Sequence, residues 1–324
     1  MHDVAALAGV SHVTVSRVLN DYPSIRPETR ARVVDAIAQL GYRRNLAARA
    51  LVTSRSHAIG VLTPAVAQHG PTSSVLAIEA AARAFGYHPL VTSAQADDRE
   101  SVVASLEFLL DRSVEALVVI APHPEILAAI HELDITVPLA TLQSPGEQTG
   151  LVVGVDQLAG ARLATEHLIG LGHRVIQHVS GPANYFEAMA RRQGYLDALT
   201  ASGLAAPPVI EGDWGAGSGF AAAAVLDPTA TAVFCANDQT ALGLIAALAE
   251  LGRHVPTDLS VVGFDDIPES AYFRPSLTTV HQDFDGVGRR VVEVLAARLA
   301  GEEVDDRVLL NPWLVVREST RAIH

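Results

Sequence analysis

From residue 57 onward the chain is governed by one alternation: short apolar, β-branched runs take turns with longer stretches of helical period. Strand-like runs fall at 58–63, 88–92, 116–121, 137–142, 151–155, 175–180, 209–211, 232–236 and 260–265. Helix-like stretches occupy 74–85, 100–111, 124–132, 157–171, 187–202, 217–226 and 239–250. Strand–helix alternation implies parallel sheets covered by helices on both faces. The 268 residues after Ser56 exceed what one such sheet comfortably organises. The expectation is an α/β body of two doubly wound parallel-sheet lobes. Ligands in such folds sit beyond the carboxyl ends of the strands, which here is the cleft between the lobes.

The 49% apolar and 18% charged residues suffice for real cores. The single cysteine, Cys235, can form neither an intrachain disulfide nor a four-cysteine zinc site, and it lies in an apolar strand where packing explains it. The start has no basic run followed by an apolar stretch, and no apolar segment approaches the length of a membrane span. These features point to a cytoplasmic protein without a membrane partner. The net charge of −13 argues against nucleic acid, but its distribution reverses that reading. Residues 1–56 hold eight of the 23 basic side chains and four of the 36 acids, a net +4, which leaves −17 on the remainder. A small basic head on a large acidic body suits a phosphate-binding module joined to something that avoids phosphate; the plainer alternative is a solvated basic face.

Within the head, Asp3–Gly9 reads as a short helix with Val4, Leu7 and Ala8 on one face. Ser11 is an N-cap for a second helix, 12–19, in which Val15, Val18 and Leu19 face inward. That leaves His12, Val13, Thr14, Ser16 and Arg17 on or near its outer surface. Pro27 opens a third helix with Val33, Ile37 and Leu40 inward, and Gly41 ends it. Two short helices joined by a glycine-bearing turn form a helix-turn-helix, whose second helix here carries groups that grip phosphates and read a guanine edge. A small bundle with an incidental polar face is the alternative.

The run Asp3-Val-Ala-Ala-Leu-Ala-Gly-Val-Ser11, then Thr14-Val-Ser-Arg-Val-Leu-Asn20, Glu28-Thr-Arg30 and Leu40-Gly-Tyr42 resembles the head of the LacI/GalR family of bacterial transcription regulators. The resemblance implies that His12, Val13 and Arg17 read bases, and that Ser11, Thr14, Ser16 and Asn20 face phosphates. It implies a hinge helix in 44–56, with Asn45 and Ala48 at hinge positions and Leu51 as a minor-groove wedge. The family usually has proline where this chain has Arg44. The organisation that follows is a DNA-binding domain at 1–43, a hinge at 44–56, and an effector-binding and dimerisation body at 57–324 of periplasmic-binding-protein type. Its first lobe takes 57–155 and 282–311; its second takes 156–281 and 312–320.

The body carries a second set of clues. Asn237-Asp238, Asp265-Asp266 and Gln143 each follow a strand-like run, and an amide, a carboxylate and a guanidinium beside an aromatic ring is how saccharides are held. Taken singly, each is as well read as a helix cap or loop residue. Ser180-Gly-Pro182, Arg191-Arg-Gln-Gly-Tyr195, Glu211-Gly-Asp-Trp214, Ala236-Asn-Asp-Gln239, Val262-Gly-Phe-Asp-Asp266 and Thr279-Val-His-Gln-Asp-Phe284 extend the resemblance over the whole chain, in particular to galactoside-responsive members. It implies that Arg191, Asn237 and Asp265 hold hydroxyls, that Trp214 and Phe284 wall the pocket, and that Gln282 bridges the lobes. Pro71 and Ser74, in the loop and helix start after the first strand, would line the other wall. Three positions depart from that pattern: Gln143 for an aspartate, Pro64 for a serine and Val287 for a leucine, while Tyr185 and Phe186 add aromatics. Helix 74–86 and the Tyr272-Phe273 turn match dimer-interface positions, and the absence of a leucine-heptad tail implies a dimer rather than a tetramer.

The reading is therefore a repressor whose operator affinity is set by a small saccharide, with no cofactor and no metal. A sugar-binding protein without regulatory DNA binding, and a regulator answering to a purine or another ligand, are the alternatives. An enzyme is disfavoured. Gly215-Ala-Gly-Ser-Gly219 lacks the third glycine at the offset a dinucleotide loop requires, no nucleophile elbow is present, and His167 and His173 lack metal-ligand spacing.

Overall fold

The computed structural model describes residues 1–19, 21–42, 55–142 and 150–323. The chain divides into two compact units, Met1–Ser56 and His57–His324.

The first unit contains α1 (His2–Ala8), α2 (His12–Leu19) and α3 (Pro27–Leu40). Gly9, at φ 62°, ends α1 in the left-handed conformation, and the N–H groups of Gly9 and Val10 return to the carbonyls of Ala6 and Ala5. Ser11 caps α2 as expected, its Oγ accepting the Thr14 N–H at 3.2 Å. The core is Val4, Ala5, Ala8, Val15, Val18, Val33 and Ala36. Leu7 and Leu40, both expected inside, are 51% and 46% exposed. The buried arc of α1 runs over Val4, Ala8 and Ala5; at about 100° per residue Leu7 falls beyond Val4 on the far side. Leu40 lies on the correct face of α3 but in its last turn, past the reach of the seven- and eight-residue helices packed against it.

The second unit builds two six-stranded sheets. Its strands are β1 (Ala58–Pro64), β2 (His88–Ala94), β3 (Ala116–Ile120), β4 (Leu139–Leu142), β5 (Leu151–Val155), β6 (Ile176–Ser180), β7 (Ile210–Glu211), β8 (Ala232–Cys235), β9 (Ser260–Asp265), β10 (Thr278–His281), β11 (Arg307–Leu310) and β12 (Trp313–Val315). Its helices are α4 (His69–Ala84), α5 (Arg99–Leu110), α6 (Pro124–Glu132), α7 (Gln157–Gly170), α8 (Phe186–Ala201), α9 (Ala216–Ala222), α10 (Asp238–Glu250) and α11 (Phe284–Leu299). The first sheet, in the order β11-β5-β4-β3-β1-β2, is parallel throughout. The second, β12-β10-β9-β8-β6-β7, is parallel except for the antiparallel edge strand β12. Each sheet separates two apolar clusters, one under each helical layer. That explains why β3, β5 and β9 are buried along their whole length.

The chain passes between the lobes three times: from β5 to α7, from β10 to α11, and from β11 to β12. Strands β10, β11 and β12 were not among the strand-like runs of the sequence. They are three or four residues long; β11 and β12 are incompletely buried edges, and β10 carries two threonines whose hydroxyls are hydrogen-bonded inside. Helix α4 begins at His69 rather than at Ser74, so Pro71 stands within it rather than in a preceding loop. Pro71 is tolerated because the first-turn N–H groups have no helical acceptor. The stretch 217–226 breaks at Ala222 and continues as a 3-10 turn, Ala223–Val225. Cys235 is a buried free thiol. Among the described residues no helix is long and apolar enough to cross a membrane.

Candidate functional site

Two regions carry the residues singled out by sequence. In the first unit, α2 buries Val15 and Val18 and leaves His12, Val13 and Arg17 exposed, with Thr14 and Ser16 half-buried beside them. The His12 ring stacks on His2 with centroids 5.3 Å apart, and the Arg17 guanidinium lies 5.6 Å from the Tyr22 ring centre. Tyr22 is steadied in turn by Arg30, which donates to its carbonyl at 3.2 Å and to Asp21 at 2.6 Å. The outward face thus offers an arginine held by an aromatic neighbour, an exposed apolar side chain and a row of hydroxyls. Those groups can contact a guanine edge, a thymine methyl and phosphates respectively. Asn20, Asn45, Ala48 and Leu51 lie outside the described residues, as does Arg44.

In the second unit a cavity of about 770 Å³, measured with its open mouth, lies between the lobes at the carboxyl ends of the strands. Pro71, Ser74, Arg191, Trp214, Asn237, Asp265, Gln282 and Phe284 all line it, as does Val287. Gln143 lies outside the described residues. Pro64 ends β1 and is not among the lining residues, and Phe186 packs against the core of the first lobe instead. Tyr185 does line the cavity.

The floor of the cavity is a closed ring of polar groups. Arg191 Nε donates to Gln157 Oε1 at 2.8 Å, Gln157 Nε2 to Gln282 Oε1 at 2.6 Å, and Gln282 Nε2 to Asp265 Oδ1 at 2.7 Å. Arg191 Nη2 closes the ring 3.6 Å from Asp265, while Nη1 donates to the Ala236 carbonyl. All four side chains are buried. Gln157 and Gln282 stand at two of the three interlobe crossovers, so the ring ties the pocket to those crossovers. Burial pushes the Asp265 carboxyl up, against the pull of Arg191, and pushes the Arg191 guanidinium down, against the pull of Asp265. Desolvation outweighs attraction for both partners.

The walls are aromatic. The Arg191 guanidinium packs 3.8 Å from the Phe264 ring centre and 5.3 Å from that of Trp214, and His69 meets Phe284 edge-on at 5.6 Å. Trp214 is seated by Gly181, where any Cβ would collide with the indole. Its Nε1–H is buried and has no protein acceptor among the described residues, so an acceptor on a ligand would satisfy it. Asn237 serves two ends: its Oδ1 caps α10 through the Thr240 N–H, and its Nδ2 donates to the Trp214 carbonyl.

Three non-glycine residues at the cavity or next to it hold positive φ: Trp214 (70°), Asp265 (107°) and Asp266 (54°). Such conformations cost energy and persist only when their surroundings enforce them. Asp238 supplies much of that enforcement. Its carboxyl accepts from the Ile267 N–H at 2.9 Å, Ser270 Oγ at 2.6 Å and Thr279 Oγ1 at 2.5 Å, which pins the turn after Asp265. Burial, aided by the nearby Asp265 charge, pushes the Asp238 carboxyl up to about 7.

Sequence reasoning missed Gln157 and His69. Gln157 could have been found from its place just after a strand end, but its partner lies 125 residues away. Nothing local marks His69.

Comparison with known proteins agrees with both regions. The family model for bacterial regulatory proteins of the lacI family matches residues 1–45, and that for the periplasmic binding protein-like domain matches residues 165–320. The chain is 35% identical over 326 residues to the lactose operon repressor of Escherichia coli strain K12, covering 99% of this chain and 91% of that one. It is 32% identical over 333 residues to the HTH-type transcriptional repressor PurR of Haemophilus influenzae strain PittEE, covering 99% and 98%. Among solved structures, the lac repressor dimer bound to operator and the anti-inducer ONPF superposes with a TM-score of 0.92 at 34% identity, covering 99% of this chain and 98% of that one. The complex of the transcriptional regulator CelR with cellobiose gives 0.73 at 31% identity, with 98% of both chains covered.

Proposed function

Because the chain belongs to the lacI family of bacterial regulatory proteins, we propose that it is an operator-binding repressor released or retained by a small saccharide held in the interlobe cavity. It acts by binding and not by turnover. The observation that carries the saccharide reading is the floor ring of Arg191, Gln157, Gln282 and Asp265 beneath aromatic walls that hold an unpartnered indole N–H. Sugars present alternating hydroxyls around an apolar ring face, and this cavity offers the complementary arrangement. A guanidinium opposite a carboxylate suits a vicinal diol. The CelR complex, similar over almost the whole chain, contains cellobiose.

In this reading 1–43 is the DNA-binding domain, 44–56 the hinge with Asn45 and Ala48 at hinge positions and Leu51 as the minor-groove wedge, and 57–324 the effector and dimer body. His12, Val13 and Arg17 read bases; Ser11, Thr14, Ser16 and Asn20 hold phosphates. Pro71, Ser74, Gln143, Arg191, Trp214, Asn237, Asp265, Gln282 and Phe284 contact the effector. Two heads on a homodimer grip a pseudo-palindromic site, as in the solved lac repressor dimer on operator. Effector in the cleft resets the angle between the lobes, and linkage requires DNA to change effector affinity by the same factor.

The experiment is an operator titration at fixed salt against a panel of β-galactosides, cellobiose and purine bases. A saccharide that shifts operator affinity is the expected result. A shift produced only by a purine replaces the saccharide with that ligand, and no shift from any of them overturns the reading.

A further inference from the structure

The three crossovers lie towards the β5/β11 end of the first sheet and the β10/β12 end of the second. Away from them, the loop after β3 meets the loop leading into α8. The Phe186 N–H donates to the Pro122 carbonyl at 2.9 Å, a backbone bond between the lobes. His123 Nε2 and the Asn184 side-chain amide lie 2.7 Å apart, and the His123 ring meets Tyr185 edge-on at 5.8 Å. The Phe186 side chain packs on the apolar cluster of the first lobe. His123 is itself fixed, since its Nδ1 accepts the Glu125 N–H at 3.3 Å as the N-cap of α6. In neutral imidazole the proton then sits on Nε2; the Asn184 Nδ2 that faces it at 2.7 Å is also a donor, so the bond forms with the amide turned to present Oδ1. Pro122 and Tyr185 also line the cavity.

We propose that Pro122–His123 and Asn184–Phe186 form a clasp that holds the lobes shut on the side opposite the crossovers, and that an effector enters and leaves by parting it. The inference rests on the reading of this cavity as the effector site. The crossovers are covalent and can only bend. The clasp consists of one backbone bond, one side-chain bond and two ring contacts, each weak enough to break and reform as the lobes move. Pro122 and Tyr185 of the clasp line the same cavity as the buried ring. His123 and Asn184 therefore set how often the cavity opens, separately from how tightly it binds.

The chain has two tryptophans, and Trp313 is 48% exposed against 8% for Trp214. In the full-length Trp313→Phe protein, acrylamide quenching reads access to Trp214 inside the cavity with no effector needed. Two substitutions in that background break the side-chain bond: Asn184→Ala, and His123→Asn, which retains an N-cap for α6 but is too short to reach Asn184. Each is expected to raise the Trp214 quenching constant about two- to tenfold, the effect of losing one hydrogen bond on the closed-to-open ratio. The double variant should match the His123→Asn single, because that change already removes the bond that Asn184→Ala breaks, together with the ring contact to Tyr185. Unchanged quenching in variants that keep the circular dichroism and melting of the background overturns the clasp, as do additive increases. The operator titration is read independently: if no ligand shifts operator affinity the effector reading fails, while the quenching result still decides whether the clasp exists.

Discussion

Replacing Arg191 by methionine and Asp265 by asparagine, singly and together, tests whether the cavity floor exists for binding or for stability. The two side chains are 5% and 8% exposed and 3.6 Å apart. At that separation and an effective dielectric of about 20, their attraction is about 4–5 kcal/mol. Removing each ion from water costs several kcal/mol, so the pair as a whole contributes little. Both pKa directions agree, since burial outweighs attraction on each side. Asp265→Asn leaves a buried guanidinium with only Gln157 and the Ala236 carbonyl as acceptors. The expected loss is about 3 kcal/mol, at the low end for a broken buried pair because those acceptors remain. Arg191→Met leaves a carboxylate with one donor, Gln282. Its loss should be similar near pH 8 and smaller near pH 5. The folded carboxyl already titrates above its unfolded value, and so takes up a proton that the unfolded chain does not. The double variant should return to within about 1 kcal/mol of the parent, because no unpaired charge remains. Urea unfolding at fixed protein concentration, with midpoints and slopes fitted together, reads all four corners. A double variant that loses the sum of the two singles would refute the argument and make the pair a structural strut. Operator response to effector should be lost in all three variants.

Arg17→Ala should cost about 1–3 kcal/mol of operator affinity and relax preference at one base pair, read by gel shift at fixed salt; a loss that is uniform over all sequences would reassign Arg17 to phosphate. His178 is fully buried, stacked on Phe234, and held by burial at about 4, so between pH 6.5 and 4 the unfolded chain binds a proton that the folded chain excludes. Stability should fall by about 3 kcal/mol as pH drops through that window, and His178→Phe should flatten the fall. Asp238 acts in the opposite sense: folded, it keeps its proton up to about pH 7, so its contribution is full below pH 4 and is lost as pH rises to 7. Asp238→Asn, which preserves the acceptor for the Ile267 N–H, should remove that slope without unfolding the turn. Gly181→Ala should push the Trp214 indole from its seat at a cost of about 1–3 kcal/mol, seen as a shift in tryptophan emission and weaker effector response.

The two sheets were legible because a parallel strand buried on both faces writes itself as an unbroken apolar run, as β3 and β5 do. Strands β10 to β12 were not, because three or four residues are too few to show a period. Their status comes from neighbours supplied by distant segments. Leu40 shows the matching limit for helices: periodicity names a face, but the partner's length decides how much of it is covered, whereas Leu7 falls outside the buried arc altogether. In the cavity, the resemblance supplied Arg191, Asp265, Trp214 and Gln282 as separate residues. What it could not supply was their closure into a ring, since Gln157 joins Arg191 to Gln282 only after two crossovers meet in space. The strain at Trp214, Asp265 and Asp266 is equally invisible in one dimension, because it is a backbone property imposed on residues that ordinarily avoid it.

The last two strands belong to different sheets, with only Asn311 and Pro312 between them. Each sheet therefore lacks an edge strand until the chain has reached β11 and β12. Both missing edges arrive within the same few residues, so neither lobe can be finished well ahead of the other. Until then each unfinished lobe exposes an open strand edge, the feature by which half-made proteins find one another.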